Sequence, residues 1–367
     1  MLKHFYGVLM RGGTSRGLFL KEDELTGLEN LDQVLLKVFG SGSSSQVDGI
    51  GGGFTHTSKV MIVRKSTDGE KDVEYTFGQV SVDKLFIDWT GNCGNLTFAV
   101  APFAIDEKIV EVEDGVALVR MYNRNTRKRV DAKVPVKNGA TVYDGDFVVD
   151  GVLNPGSRIE TIWHRPGGAV TGKLLPTGNP VDELVLEGKK VQVSIVDAAN
   201  PVVFVKAADV GMTGLETPSE VDEDNLRRIE KLRSLAAAAI GLVQNPEEAT
   251  AKSPHFPFVC IVGPRENFKT HSGRVVTKDE YDISVRLFSM QKMHHACAVT
   301  AAICIAAASQ IEGTLVHDSV EEKSQSVKIA HPKGLMKLGV KASSKDVEEI
   351  SVNSTARRLM AGQVYYL

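Results

Sequence analysis

The sequence predicts an α+β protein of two similar halves, in each of which a mixed, mostly antiparallel sheet wraps around a central helix. Three observations carry this expectation. The 367 residues, at about 150 per domain, suffice for two domains that each bury a core. Short runs of β-branched and aromatic residues alternate with turns through both halves. Two small-residue apolar segments, each opened by a cysteine, recur 204 residues apart, Gly91-Asn92-Cys93-Gly94-Asn95-Leu96 and His295-Ala296-Cys297-Ala298-Val299-Thr300. A single such pair is by itself a weak sign of repetition.

In the first half, strands are expected at 6–10, 18–20, 60–63, 73–77, 117–122 and 147–149. Helical spacing runs over 31–39 and stops at Gly40, a glycine where a left-handed cap is needed. Turn residues concentrate at 174–180, which places the domain boundary there or shortly after, with domains 1–184 (joined by 355–367) and 185–354. The second half restarts with strands at 191–196, 202–205, 258–262 and 283–288. It also carries a long helix over 221–242 whose apolar positions Leu226, Ile229, Leu232, Leu235 and Ala239 share one face, and the second small-residue run, 296–308.

Composition removes several function classes. Apolar residues make up 42% and charged residues 24%, and the net charge is −3, so no broad basic field is available for nucleic acid. The longest apolar stretches fall short of a membrane span, and the N-terminal residues show no export signal. The four cysteines, Cys93, Cys260, Cys297 and Cys304, lack CxxC spacing and fit reduced thiols in a cytoplasm. Neither a metal motif nor a GxSxG elbow is present, so no metal and no cofactor are expected.

Three segments carry chemistry. Cys93 sits where an apolar helix begins, and helix N-terminal N–H groups favour anions; Asn92, Gly94 and Asn95 flank it. The alternative for such a thiol is a buried small hydrophobe. The stretch Asp48-Gly49-Ile50-Gly51-Gly52-Gly53 leads to Lys59 at the head of a strand. Gly51 and Gly52 can turn backbone N–H groups toward an anion, though the loop fails both nucleotide signatures. A lysine held at the mouth of such a loop can be desolvated and act as a base, where the ordinary alternative is a solvated edge. Arg11-Gly12-Gly13-Thr14-Ser15-Arg16 offers hydroxyls and guanidinium groups suited to carboxylates, or else a plain hairpin turn. Met293, His294 and His295, ahead of the second apolar segment, complete the candidate substrate contacts.

Taken together, the segments beginning Met10-Arg11-Gly12-Gly13-Thr14-Ser15, Asp48-Gly49-Ile50-Gly51-Gly52, Gly91-Asn92-Cys93-Gly94-Asn95 and Gly172-Lys173-Leu174-Leu175-Pro176-Thr177-Gly178 resemble the PrpF family. The resemblance implies a diaminopimelate-epimerase-like fold with the active site in a cleft between its domains, and a homodimer. It also implies allylic isomerases such as 2-methylaconitate isomerase, methylitaconate isomerase and 4-oxalomesaconate tautomerase. By the same resemblance, Lys59 and Cys93 form the acid/base pair, and Ser15 with Ser43, Ser44 and Ser45 contact substrate carboxylates. The second serine loop departs from the proline- and arginine-containing version usual in the family.

These observations lead to a cofactor-independent 1,3-allylic proton shift on a small unsaturated di- or tricarboxylate. Three alternatives stay open: a cysteine-dependent racemase that would also use Cys297, a phenazine-biosynthesis-like member of the fold acting on a ring substrate through an acidic residue, for which no comparable motif is visible, and a non-catalytic binding protein of the same fold.

Overall fold

The structure is a computed structural model that describes residues 2–321, 324–343 and 346–367. The chain divides into two compact units, residues 2–164 with Asn353–Leu367 and, second, Arg165–Val352.

The first unit contains strands β1 (Lys3–Gly12), β2 (Ser15–Lys21), β3 (Lys59–Lys65), β4 (Val73–Val80), β5 (Gly115–Asn123), β6 (Lys128–Lys137) and β7 (Ile159–His164). Helix α1 (Leu31–Phe39) lies between β2 and β3, and α2 (Gly94–Asp106) between β4 and β5. The second contains β8 (Asp182–Leu186), β9 (Lys189–Ala198), β10 (Asn200–Lys206), β11 (Phe258–Gly263), β12 (Ile283–Ser289), β13 (Ser326–His331), β14 (Gly334–Ala342) and most of β15 (Val347–Ser354). Helix α3 (Glu223–Ala239) lies between β10 and β11, and α4 (Val299–Ala308) between β12 and β13. The final strand, β16 (Ala356–Tyr366), belongs to the first unit and pairs with β1.

Strand order exposes the repeat. The first sheet runs β16-β1-β2-β3-β4-β5-β6-β7, with successive neighbours antiparallel, antiparallel, parallel, antiparallel, parallel, antiparallel and antiparallel. The second runs β8 to β15 in the same succession of directions. The helices fall in matching intervals. Two like units, each a mixed sheet around a central helix, make up the diaminopimelate-epimerase-like α+β fold.

The central helices follow from composition. Residues Gly94 to Ile105 of α2 are all buried, as are all ten residues of α4. A helix without a polar face must be enclosed. The first sheet accordingly curls around α2, which touches β1, β2 and β3 on one side and β6 and β7 on the other; α4 meets β9, β10, β13 and β14 in the same way. Helix α1 covers the outer face, where Val34, Leu35, Val38 and Phe39 pack on Leu18, Leu20, Val60 and Ile62. With helices on both faces, β3 is buried on both, which accounts for its continuous apolar run.

Several expectations are corrected. Residues 147–149 form no strand, only a single bridge from Phe147 to Gly156. Helix α3 is shorter than 221–242, because the Asp222 side chain caps it by accepting from Asn225 N at 2.7 Å. Thr217 instead caps a separate 3-10 turn, Pro218–Glu220. Ala236 rather than the exposed Ala239 completes the buried face of α3. The small-residue run becomes helical only at Val299, so His294 and His295 precede the helix.

The unit boundary falls at 164/165 and 352/353, not at 184/185 and 354/355. The reason is Asp197 on β9. Its carboxylate accepts from the N–H groups of Val170 and Thr171 at 2.9 and 2.6 Å, its carbonyl from Gly168 N at 2.7 Å, and its own N–H donates to Leu174 O at 2.9 Å. The turn-rich segment is thereby tied to the second sheet. Among the described residues no helix is long and apolar enough to cross a membrane.

Candidate active site

Lys59 opens β3 directly opposite Gln79 on β4, and the register continues as Met61 opposite Phe77 and Val63 opposite Tyr75. Directly paired residues share a face of the sheet, so Tyr75, Phe77 and Gln79 line the same inner surface as the lysine. Lys59 is only 8% exposed. Its Nζ donates to Gln79 Oε1 and stands 5.1 Å from the centre of the Phe77 ring. Burial lowers its pKa from the ordinary 10.5, against the opposing pull of Cys93, whose thiolate would be near enough to share a hydrogen bond with Nζ.

Cys93 is the N-cap residue of α2 and is 8% exposed. Beneath it lies a buried polar cluster. Thr97 Oγ1 donates to the Cys93 carbonyl at 3.0 Å, and Asn92 Nδ2 reaches the Tyr75 hydroxyl at 3.3 Å and Thr97 Oγ1 at 3.4 Å. Burial raises the pKa of Tyr75, which keeps it a neutral donor and acceptor. This cluster holds the chain entering α2 at the cysteine, and Gly94 is the first helical residue.

The hairpin between β1 and β2 packs onto the first turn of α2. Thr14 N donates to Asn95 Oδ1 at 3.1 Å. A Cβ on Gly12 would stand 2.4 Å from the Asn95 carbonyl oxygen, and Gly13, at φ +47°, has Asn95 Oδ1 in the corresponding place at 2.1 Å. Only glycine allows so close an approach. Ser15 is buried at the head of β2. Arg11 turns inward, with Nη1 donating to the carbonyls of Gly13 and Thr355, both at 3.0 Å. Its guanidinium therefore braces the hairpin against the segment that leads into β16.

The glycine loop is organised by a residue the sequence did not single out. Gln46 is buried at φ +48°. Its Oε1 accepts from Gly52 N and Gly53 N, each at 3.0 Å, and from the Ser58 hydroxyl at 2.6 Å. Gly52 thus spends its N–H within the loop, which corrects the expectation that this group faces an anion. The Gly51 carbonyl accepts from Arg16 Nη2 at 3.2 Å. Ser43, Ser44 and Ser45 are exposed, with 3.3 Å between the hydroxyls of Ser43 and Ser45. They border the glycine loop, because a Cβ on Gly53 would stand 2.8 Å from Ser44 O.

The structure thus gathers Lys59, Cys93, Thr14, Ser15, Asn92, Gly94, Asn95 and the two loops within the first unit. Met293, His294 and His295 belong to the second. Met293 is buried at the end of a two-residue strand, the His294 ring Nδ1 accepts from Ala296 N at 3.2 Å, and His295 is exposed. Partial desolvation, then Lys333 and His271, lower the His295 pKa. Cys297 is not placed as Cys93 is. It precedes the N-cap Ala298, its Sγ lies 3.7 Å from Ala298 O, and burial pushes its pKa up to about 12. Among the described residues no cluster of three or more His, Cys, Asp or Glu could hold a metal ion.

Gln79 and Tyr75 carried a legible signal, since period-2 alternation along β4 puts them on one face with Phe77. Gln46 carried none, because its role depends on a left-handed loop conformation.

The chain is similar over nearly its whole length to known proteins. A protein 40% identical over 366 residues, covering 98% of this chain and 96% of its own, is the 3-methylitaconate isomerase of Eubacterium barkeri. The 2-methyl-aconitate isomerase of Shewanella oneidensis is 36% identical over 377 residues, covering 97% of this chain and 95% of its own. A crystal structure of methylitaconate-delta-isomerase superposes with a TM-score of 0.84 at 39% identity, over 100% of this chain and 96% of that one. The family model described as PrpF protein matches residues 2–367, and the chain belongs to the PrpF family.

Proposed function

We propose that this isomerase catalyses a 1,3-allylic proton shift on a small unsaturated di- or tricarboxylate of the methylitaconate, 2-methylaconitate or 4-oxalomesaconate type, with Lys59 and Cys93 as the proton-transfer pair. The observation that carries the reading is the burial of the Lys59 amine among Gln79, Phe77 and Cys93, which lowers its pKa and favours a neutral base.

Lys59 takes the proton from the carbon next to the double bond. The electron pair spreads into a dienolate conjugated with the carboxylate. The Cys93 thiol then delivers its proton to the far carbon, and the double bond has moved. The resulting ammonium and thiolate lie close enough to return the proton from one to the other, which resets the pair. N–H groups of the first turn of α2 supply donors where negative charge develops. Written this way the reaction balances with no cofactor. Ser15 and the Ser43, Ser44 and Ser45 lip are the candidate carboxylate contacts. The homodimer rests on the family resemblance, and the four free, buried cysteines favour a reducing compartment such as the cytoplasm.

Proton NMR in D2O with the three substrates tests the reading. Deuterium wash-in at an allylic carbon with a shifted vinyl signal is expected, and Lys59→Ala is expected to lower turnover by at least about a hundredfold. Near-normal turnover by Lys59→Ala would sink the assignment.

A further inference from the structure

We propose that Gln79 is the positioning residue of Lys59. Its amide is locked so that only its oxygen faces Nζ, which directs one N–H of the amine into the sheet and leaves the nitrogen lone pair for the substrate. The proposal rests on the reading of Lys59 as the base.

Gln79 is 2% exposed. Its Nε2 donates to Thr55 O and Ser58 O, both at 3.0 Å, and has Val80 O at 3.3 Å. Main-chain carbonyls can only accept. A flipped amide would set Oε1 against three carbonyl oxygens and turn its NH2 onto Nζ, where it would compete for the lone pair that the base needs. One orientation is therefore allowed. The loop that supplies two of the three carbonyls leads directly into Lys59, so the same segment that delivers the lysine also fixes its partner.

The groups facing Nζ are Gln79 Oε1, the Phe77 ring and the Cys93 thiol. Tyr75 contributes only at one remove, through the cluster under Cys93. A glutamate in place of Gln79 would hold the ammonium as an ion pair. A glutamine gives direction without a counter-charge, which is what a lysine needs if it is to be anchored and still deprotonated.

Protein labelled with 13C-lysine is titrated while the Lys59 Cε resonance is followed, in the native chain, Gln79→Glu and Gln79→Met. The acid limb of kcat/KM is recorded alongside. A base loses activity as pH falls through its pKa, so the limb tracks Lys59. Gln79→Glu is expected to raise the titration and the limb by at least about one pH unit. Gln79→Met removes the acceptor. It is expected to move both downward and to lower kcat at least about tenfold, with KM within about twofold. A simple packing role would change activity without moving either titration. An unmoved Lys59 titration in Gln79→Met overturns the proposal, and that variant decides alone if Gln79→Glu does not fold. If the titration moves but Lys59→Ala still turns over, it is the base reading that fails. If Lys59→Ala is inactive and the titration stays put, only the positioning by Gln79 fails.

Discussion

Burying an amine beside an aromatic ring and a thiol has a thermodynamic side as well as a chemical one. The Lys59 pKa is lower in the fold than its ordinary 10.5, so the unfolded chain binds that proton more tightly. Native stability therefore falls as pH drops from 10.5 through the folded value, and the group weakens the fold at neutral pH. Lys59→Met is accordingly expected to abolish turnover and yet raise the urea midpoint at pH 7 with an unchanged m-value. A lowered midpoint would show that the lysine is stabilising. At this scale Lys59 and Cys93 stood out as candidates because a glycine-rich loop leads to the one and Gly91 and Gly94 bracket the other. Gln46 did not, because its use depends on a left-handed loop conformation, and the alternation that puts Gln79 on the inner face does not tell which end of its amide meets Nζ.

Among elements, the β1–β2 hairpin leaves no room for a side chain at its turn. Gly12→Ala places a methyl group against the Asn95 carbonyl at the start of α2. It is expected to destabilise the fold by on the order of 1–3 kcal/mol in urea unfolding and to lower kcat/KM by moving the helix N-terminus. Gly69, with nothing within 4 Å of its added Cβ, serves as the control, and Gly69→Ala should stay within about 0.5 kcal/mol. An equal effect at both sites would remove the close-approach argument. Helix α1 was readable to the residue, because Gly40 at φ +67° ends it with N–H bonds back to Lys37 and from Ser41 to Leu36. Strands β6, β14 and β16 were not, since charges, a proline or glycines interrupt their alternation. Pairing with neighbours distant in sequence makes them strands, and local propensity does not report that.

For the molecule as a whole, the repeat hinted at by two cysteine-led segments is present in every sheet neighbour, yet the residues of the proposed proton-transfer pair are not duplicated. β11, in the place of β3, contains no lysine, β12 contains no glutamine, and Cys297 is displaced from the cap that Cys93 occupies. The second unit repeats the fold without a counterpart of the Lys59, Gln79 and Cys93 arrangement. One irregularity is that the outer strand beside β1 comes from residues 356–366, whereas its counterpart β8 directly precedes β9. Removing residues 356–367 is therefore expected to speed amide exchange throughout β1 and α2 while leaving β9 to β14 protected; uniform loss of protection would mean that the units do not fold separately.

The same strand order bears on synthesis. The ribosome makes the first unit first, but β16, which closes its sheet, emerges only after the entire second unit has been translated. The later-made unit can complete itself as it leaves the tunnel, while the earlier-made one waits with the outer edge of β1 open. In this chain the unit that holds Lys59 and Cys93 is begun first and finished last.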